Sequence, residues 1–222
     1  MTAPARADLA RPGAAPWRTP TGLLIISVIP LVAGALRLAE VAGGPQLMPV
    51  NPRIDAQPGP VVVHIVAATA YAIFGAFQFP ARLRRRHRAW HRAAGRVLVA
   101  AGLLVALSGL WMTVFYRNAP GGVVLWTVRL TVGSAMATAL VLGFAAIRRR
   151  DLPAHRAWMI RAYALGLGAG TQTVTQGVGE AAFGAGDLST ALSMTAAWVI
   201  NAAVAEWVIA RGKRPGRPAM AR

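Results

Sequence analysis

The stretch "RLRRRHRAWHRAAGRVLVAAGLLVALSGL", residues 82–110, decides how this chain folds. Its first half is crowded with arginine, at positions 82, 84, 85, 86, 88, 92 and 96, and its second half carries no charge. Polar and apolar residues are separated end from end, not face from face. A helix that passes from a charged interface into hydrocarbon has this pattern.

The rest of the chain repeats it. Apolar stretches cover roughly 21–42, 60–80, 95–116, 122–147, 161–179 and 189–210. Each, as a helix, is long enough to cross about 30 Å of hydrocarbon. The expected fold class is therefore all-α, a polytopic bundle of six transmembrane helices over 21–210. The fifth stretch is the weakest, because "GLGAGTQTVTQGVGE" (166–180) is rich in Gly, Thr and Gln. The first stretch reads as a retained span: about 20 residues precede it, it exceeds a usual signal core, and no small-residue cleavage site follows. Residues 1–20 read as a disordered N-terminus and 211–222 as a basic tail, since Ala, Pro, Gly and Arg dominate both without an apolar period.

Composition agrees. Of 222 residues, 55% are apolar and only 14% charged, against about 25% charged in a soluble domain. The net charge of +17 is carried almost wholly by arginine, Lys213 being the one lysine. Such a charge can indicate nucleic acid, but here its placement explains it. The N-terminal segment, the second–third and fourth–fifth connections and the tail hold nearly all of it, and all four lie on one side if every stretch crosses. The other side receives "GGPQLMPVNPRIDAQPGP", "RNAPGG" and "GEAAFGAGDLS". The positive-inside rule then puts both termini in the cytoplasm. The partners implied are the bilayer and its anionic headgroups, met by Arg88, Arg92, Arg96, Arg156 and Arg161; no nucleic acid is implied. The absence of cysteine excludes disulfides, thiolate metal sites and thiol redox chemistry.

Polar residues within apolar helices turn inward. In the second stretch His64, Ala68, Tyr71, Gly75 and Gln78 step by four and three and share one face. In the fifth, Gly168, Gln172, Gln176 and Glu180 share another. Arg129 lies in the fourth stretch, where mid-helix burial costs about 2.5–3.5 kcal/mol, and Glu180 is a candidate partner. His64, Arg129, Gln172, Gln176 and Glu180, with Arg37 near, form a candidate outward polar pocket; interhelical hydrogen bonding is the plainer reading. In the sixth stretch Asn201 is expected to bond a neighbouring helix, and Glu206 to pair with Arg96 or Arg161.

"HRAW" occurs at 87–90 and again at 155–158, each copy after an arginine triplet and before a helix. This is either a faint duplication or the recurrence of an arginine-rich interface. "GAFQF", "HRAAGR" and "HRAWMIRAYAL" together resemble an uncharacterised bacterial membrane-protein family, domain of unknown function 2306 (DUF2306), over roughly residues 60–180. The resemblance implies a polytopic protein of a bacterial inner membrane, with His64, His91 and His155 as the matching histidines. The family often has an arginine where this chain has Gln176. The resemblance supplies no activity.

Three chemistries suit the histidines. The plainest makes both HRAW segments anchors at helix starts, facing anionic headgroups. The second is bis-histidine haem b ligation by His91 and His155, with arginines for the propionates. The third, a metal held by His87, His91 and His155, is opposed by the surrounding arginine field. No Ser or Thr motif accompanies a His and a carboxylate, and no phosphate loop is present. The reading is a non-enzymatic binding or transport-related module with an arginine-rich cytoplasmic face, the alternative a one-haem electron carrier.

Overall fold

A computed structural model describes residues 17–116 and 119–213. Among these the chain is helical, with no strand. The elements are α1 (Arg18–Val41), α2 (Pro52–Ala56), α3 (Pro58–Ala76), α4 (Ala81–Arg86), α5 (Arg88–Phe115), α6 (Gly122–Arg148), α7 (Leu152–Gly166), α8 (Gly168–Phe183) and α9 (Asp187–Lys213). Five of them, α1, α3, α5, α6 and α9, are long and apolar enough to cross a membrane. The expected end segments 1–20 and 211–222 fall largely outside the described residues; their described parts, 18–20 and 211–213, continue α1 and α9.

The fifth apolar stretch departs from expectation. It is two helices, α7 of 15 residues and α8 of 16, meeting at Leu167. Leu167 keeps a helical φ/ψ (−75°, −1°), but Gly170 N–H turns back to Leu167 O in a three-residue step (3.0 Å). A break in a packed helix leaves carbonyls without intrahelical donors, so a neighbour must supply them. Asn201 of α9 does so: its Nδ2 donates to Ala164 O (3.0 Å) and its Oδ1 accepts from Thr171 Oγ1 (2.8 Å). Tight packing holds the break in place, since a methyl group at Gly168 would collide with the Trp198 indole and one at Gly170 with Ile26 O.

Local chemistry sets the other ends. Pro stands in the first turn of α2, α3 and α7, where a missing N–H costs nothing. Asp151 caps α7, its Oδ1 accepting from Ala154 N–H (2.9 Å). Gly121 enters α6 with φ +91°, a value open to glycine. Its N–H donates to Asp187 Oδ1 (2.9 Å), tying the α6 start to the α9 start.

The helices form a ring, α1–α3–α5–α6–α9–α8 and back to α1, with α7 inside it against α3, α5, α6 and α9. The core is Tyr71, Leu140, Met136, Tyr163 and small residues such as Ala76, Ala139 and Ala162. Outside, the pattern is inverted relative to a water-soluble protein: on α1, Ile25, Ile26, Val28, Ile29 and Val32 are exposed while Ser27 is buried. Ser27 satisfies itself by donating to Leu23 O (2.9 Å). One end of the bundle gathers Trp17, residues 77–92, 146–158 and the end of α9, and is rich in arginine. The opposite end gathers the 42–58 connection, residues 116 and 119–122, and the 184–187 turn.

Asn201→Leu should loosen the α7–α8 break. It removes two interhelical bonds, each worth about 0.6–2 kcal/mol in a membrane bundle. The expected result is a lower Tm in detergent, with Thr171→Val, which removes one bond, falling about half as far.

Candidate functional site

The three stretches that carried the family resemblance meet at the arginine-rich end. "GAFQF" ends α3, "HRAAGR" opens α5 and "HRAWMIRAYAL" fills α7. Gln78, in the turn after α3, lies against α5: a methyl group on Gly95 would sit 3.8 Å from its Oε1. His91 is one helical turn before Gly95 on the same face. His155, in the first turn of α7, is close enough to act on His91 electrostatically, as is Arg84 of α4.

Two buried polar atoms in this cluster, Gln78 Nε2 and His91 Nδ1, have no hydrogen-bond partner. Leaving such an atom unsatisfied costs about 1–3 kcal/mol, so orphans are rare and each asks for a reason. His155 differs. Its Nδ1 lies 2.9 Å from Gly143 O; since a carbonyl only accepts, Nδ1 donates there and Nε2 is the nitrogen left for another partner. Aromatic rings lie toward the core from the site. Phe79 and Tyr163 pack edge to face with centroids 5.0 Å apart, Tyr71 lies 5.5 Å beyond, and Tyr163 Oη donates to Ala72 O (2.7 Å).

His87 sits elsewhere at this end, in an apolar groove of about 320 Å³ lined by Trp17, Phe77, Leu83 and Trp90. Among the described residues no three of His, Asp and Glu gather as a metal site, so His87, His91 and His155 do not converge. Arg88, Arg92, Arg96 and Arg156 are exposed around the cluster. Arg161 is engaged: its Nε and Nη2 donate to the two carboxylate oxygens of Glu206 (2.6 and 2.9 Å), and its guanidinium stacks on Trp158 at 4.7 Å. The described carboxylates of this end are thus committed, Asp151 to the α7 cap and Glu206 to Arg161.

The residues of the candidate outward pocket are distributed. His64 faces α5, its Nδ1 3.0 Å from Ser108 Oγ and 3.1 Å from Val105 O. Arg37 pairs with Glu40 (2.7 Å), whose other oxygen accepts from Leu47 and Met48 N–H (2.6 Å each), fixing the following loop. Arg129 and Gln172 meet at one residue of α9: Arg129 Nη2 points to Met194 Sδ (3.9 Å) and Gln172 Nε2 to Met194 O (3.5 Å). Gln176 is half-buried one turn further along α8, and Glu180 is exposed and forms no ion pair with Arg129. Gln78 was legible only as the inner end of the α3 face; its neighbourhood with His91 depends on how α3 crosses α5.

A family model described as "Predicted membrane protein (DUF2306)" matches residues 61–209. That is most of the chain, extending past α7 through nearly all of α9, so the chain belongs to this family. No curated protein and no solved structure matches it.

Gly75 of "GAFQF" supports the aromatic rings beside the site. A methyl group there would lie 2.5 Å from Tyr163 Cε2, whereas one at Gly177 meets nothing within 4 Å. Gly75→Ala should therefore lower Tm, by the about 1–3 kcal/mol typical of overpacking. Gly177→Ala should leave it unchanged or raise it, since alanine favours a helix by about 1 kcal/mol over glycine. Thermal unfolding of the two variants side by side checks this.

Proposed function

With membership of that family as the premise, we propose that the chain is a non-enzymatic, membrane-embedded binding module whose ligand lies between Gln78, His91 and His155. It crosses a bacterial inner membrane six times, through α1, α3, α5, α6, the α7–α8 pair and α9. Both termini and the ligand site face the cytoplasm, where surplus arginines meet anionic headgroups at about 1 kcal/mol per basic residue. Arginine asymmetry between the two ends supports the orientation. One observation carries the ligand site: two buried polar atoms, Gln78 Nε2 and His91 Nδ1, without partners in the chain.

The orphan atoms give a test with a definite sign. If a ligand satisfies them, the double variant Gln78→Leu/His91→Leu loses it. Native mass spectrometry of detergent-purified protein should show a bound mass that the double variant lacks and that His64→Leu retains. The variant's Tm should then fall. An unliganded wild type and a double variant of raised Tm would sink the reading, because removing unsatisfied atoms is then a net gain. Reporter fusions test the topology: both termini report the same side for six crossings and opposite sides for five.

A second reading is favoured by the His155 Nδ1 to Gly143 O bond, which leaves Nε2 as an axial ligand requires. In that reading His91 and His155 bind haem b. A Soret band lost in both His91→Ala and His155→Ala is its expected signature, and a colourless wild type removes it.

A further inference from the structure

Arg129 carries a separate inference at the end opposite the histidines. It is the eighth residue of α6, about 10 Å from the start of that helix. A guanidinium offers five N–H donors and demands negative charge. Two arginines, one on α1 and one on α7, show how a carboxylate of this chain can meet that demand, whereas Arg88, Arg92, Arg96 and Arg156 are exposed. Arg37 is matched to Glu40 and Arg161 to Glu206. Arg129 has no carboxylate within ion-pair distance among the described residues. Its contacts are long and uncharged, Pro120 O at 3.4 Å and Met194 Sδ at 3.9 Å.

The surroundings add positive charge. Arg53 of α2 lies within electrostatic reach of Arg129, and its own Nε is turned to Asn51 Oδ1 (3.1 Å). The nearby acids are occupied or exposed: Asp187 accepts from Gly121 N–H, Glu40 is held by Arg37 and the 47–48 backbone, and Asp55 and Glu180 lie at the surface. One amide donor, Gln172, meets the same residue of α9 as Arg129. Gln172 is buried, with only a 3.5 Å bond to Met194 O, and Gln176, one turn on, makes no side-chain hydrogen bond. Met194 lies between Arg129 and Gln172 on an unbranched, adaptable side chain that can be displaced at low cost. α8 packs mainly on α9 and α1, and Gln172 reaches the Arg129 neighbourhood through Met194 of α9.

The geometry points to an oxyanion site, for a carboxylate or phosphate group presented from the end opposite the arginine-rich one. Arg129 is its bidentate anchor, Arg53 its second charge and Gln172 its amide donor. A planar guanidinium matches such a group with two parallel hydrogen bonds, and among the described residues no carboxylate already fills that role. The phosphate can belong to a free anion or to a lipid headgroup.

Thermal unfolding of the full chain in non-ionic detergent separates these sources. One arm compares sodium phosphate with sodium chloride at equal ionic strength. The other adds phosphatidylglycerol to the micelles. The expected result is a rise in Tm in at least one arm that Arg129→Gln abolishes and Arg53→Gln reduces. Arg129→Lys, which keeps the charge without the fork, should retain part of it. A response to phosphate alone identifies a soluble anion, and a response to phosphatidylglycerol alone identifies a headgroup. General salt stabilisation and lipid binding at the arginine-rich end act on wild type and variants alike, so only the difference counts. If Arg129→Gln responds like wild type in both arms, the site does not exist. If Arg129→Gln fails to fold, Arg53→Gln decides, and an undiminished response there overturns the proposal.

Discussion

Hydrocarbon offers no hydrogen bonds, and this constraint orders the whole molecule. Each backbone group and polar side chain within the bundle must find a partner inside it. Hydroxyls do this locally: Ser27, Ser108, Thr113, Thr127, Thr131 and Thr195 each donate to a carbonyl four residues back. The interrupted α7–α8 element does it through tertiary contacts, which is why the break lies beside Asn201 and not at the lipid surface. With hydrogen bonding satisfied, the outer surface is free to be apolar.

Close approach then substitutes for the hydrophobic drive that lipid removes. Gly75 admits the Tyr163 ring, Gly102 the Tyr71 ring and Leu140, and Gly143 the Met159 side chain. These contacts draw α3, α5, α6 and α7 together near the arginine-rich end. The same seams bring Gln78, His91 and His155 into one neighbourhood, so the packing that builds the core also assembles the site.

Much of the fold was legible because run length is a direct physical requirement for crossing a bilayer. The stretch 122–147 became α6, Gly122–Arg148, and 21–42 became α1, Arg18–Val41. Periodicity was informative as well: the face from His64 to Gln78 does turn toward α5 and α7. Arg161 did take Glu206, and Asn201 did bond across to α7 and α8. The helix break was not legible, since Gly, Thr and Gln in 166–180 look the same whether they pack a seam or interrupt a helix. Glu180, the candidate partner of Arg129, forms no ion pair with it. Depth along the membrane normal favours that pair, but ion pairing also needs the right azimuth, and sequence does not supply that across two helices. The orphan state of Gln78 and His91 is a property of the packed interior, with no sequence signature.

The two polar regions lie at opposite ends, and the α7–α8 pair reaches both. α7 brings His155 to the arginine-rich end and α8 brings Gln172 to Met194 at the other. Between them the bundle is filled by Tyr71, Met136, Leu140 and Tyr163. The junction at Leu167 is flanked by Gly166, against the Tyr71 ring, and Gly168, against the Trp198 indole. A break clamped by two aromatic rings acts as a fixed offset between two short helices, not as a loose hinge. That offset lets one segment occupy the centre of the ring, where α7 meets α3, α5, α6 and α9, and the next take a place in its rim, where α8 meets α1 and α9.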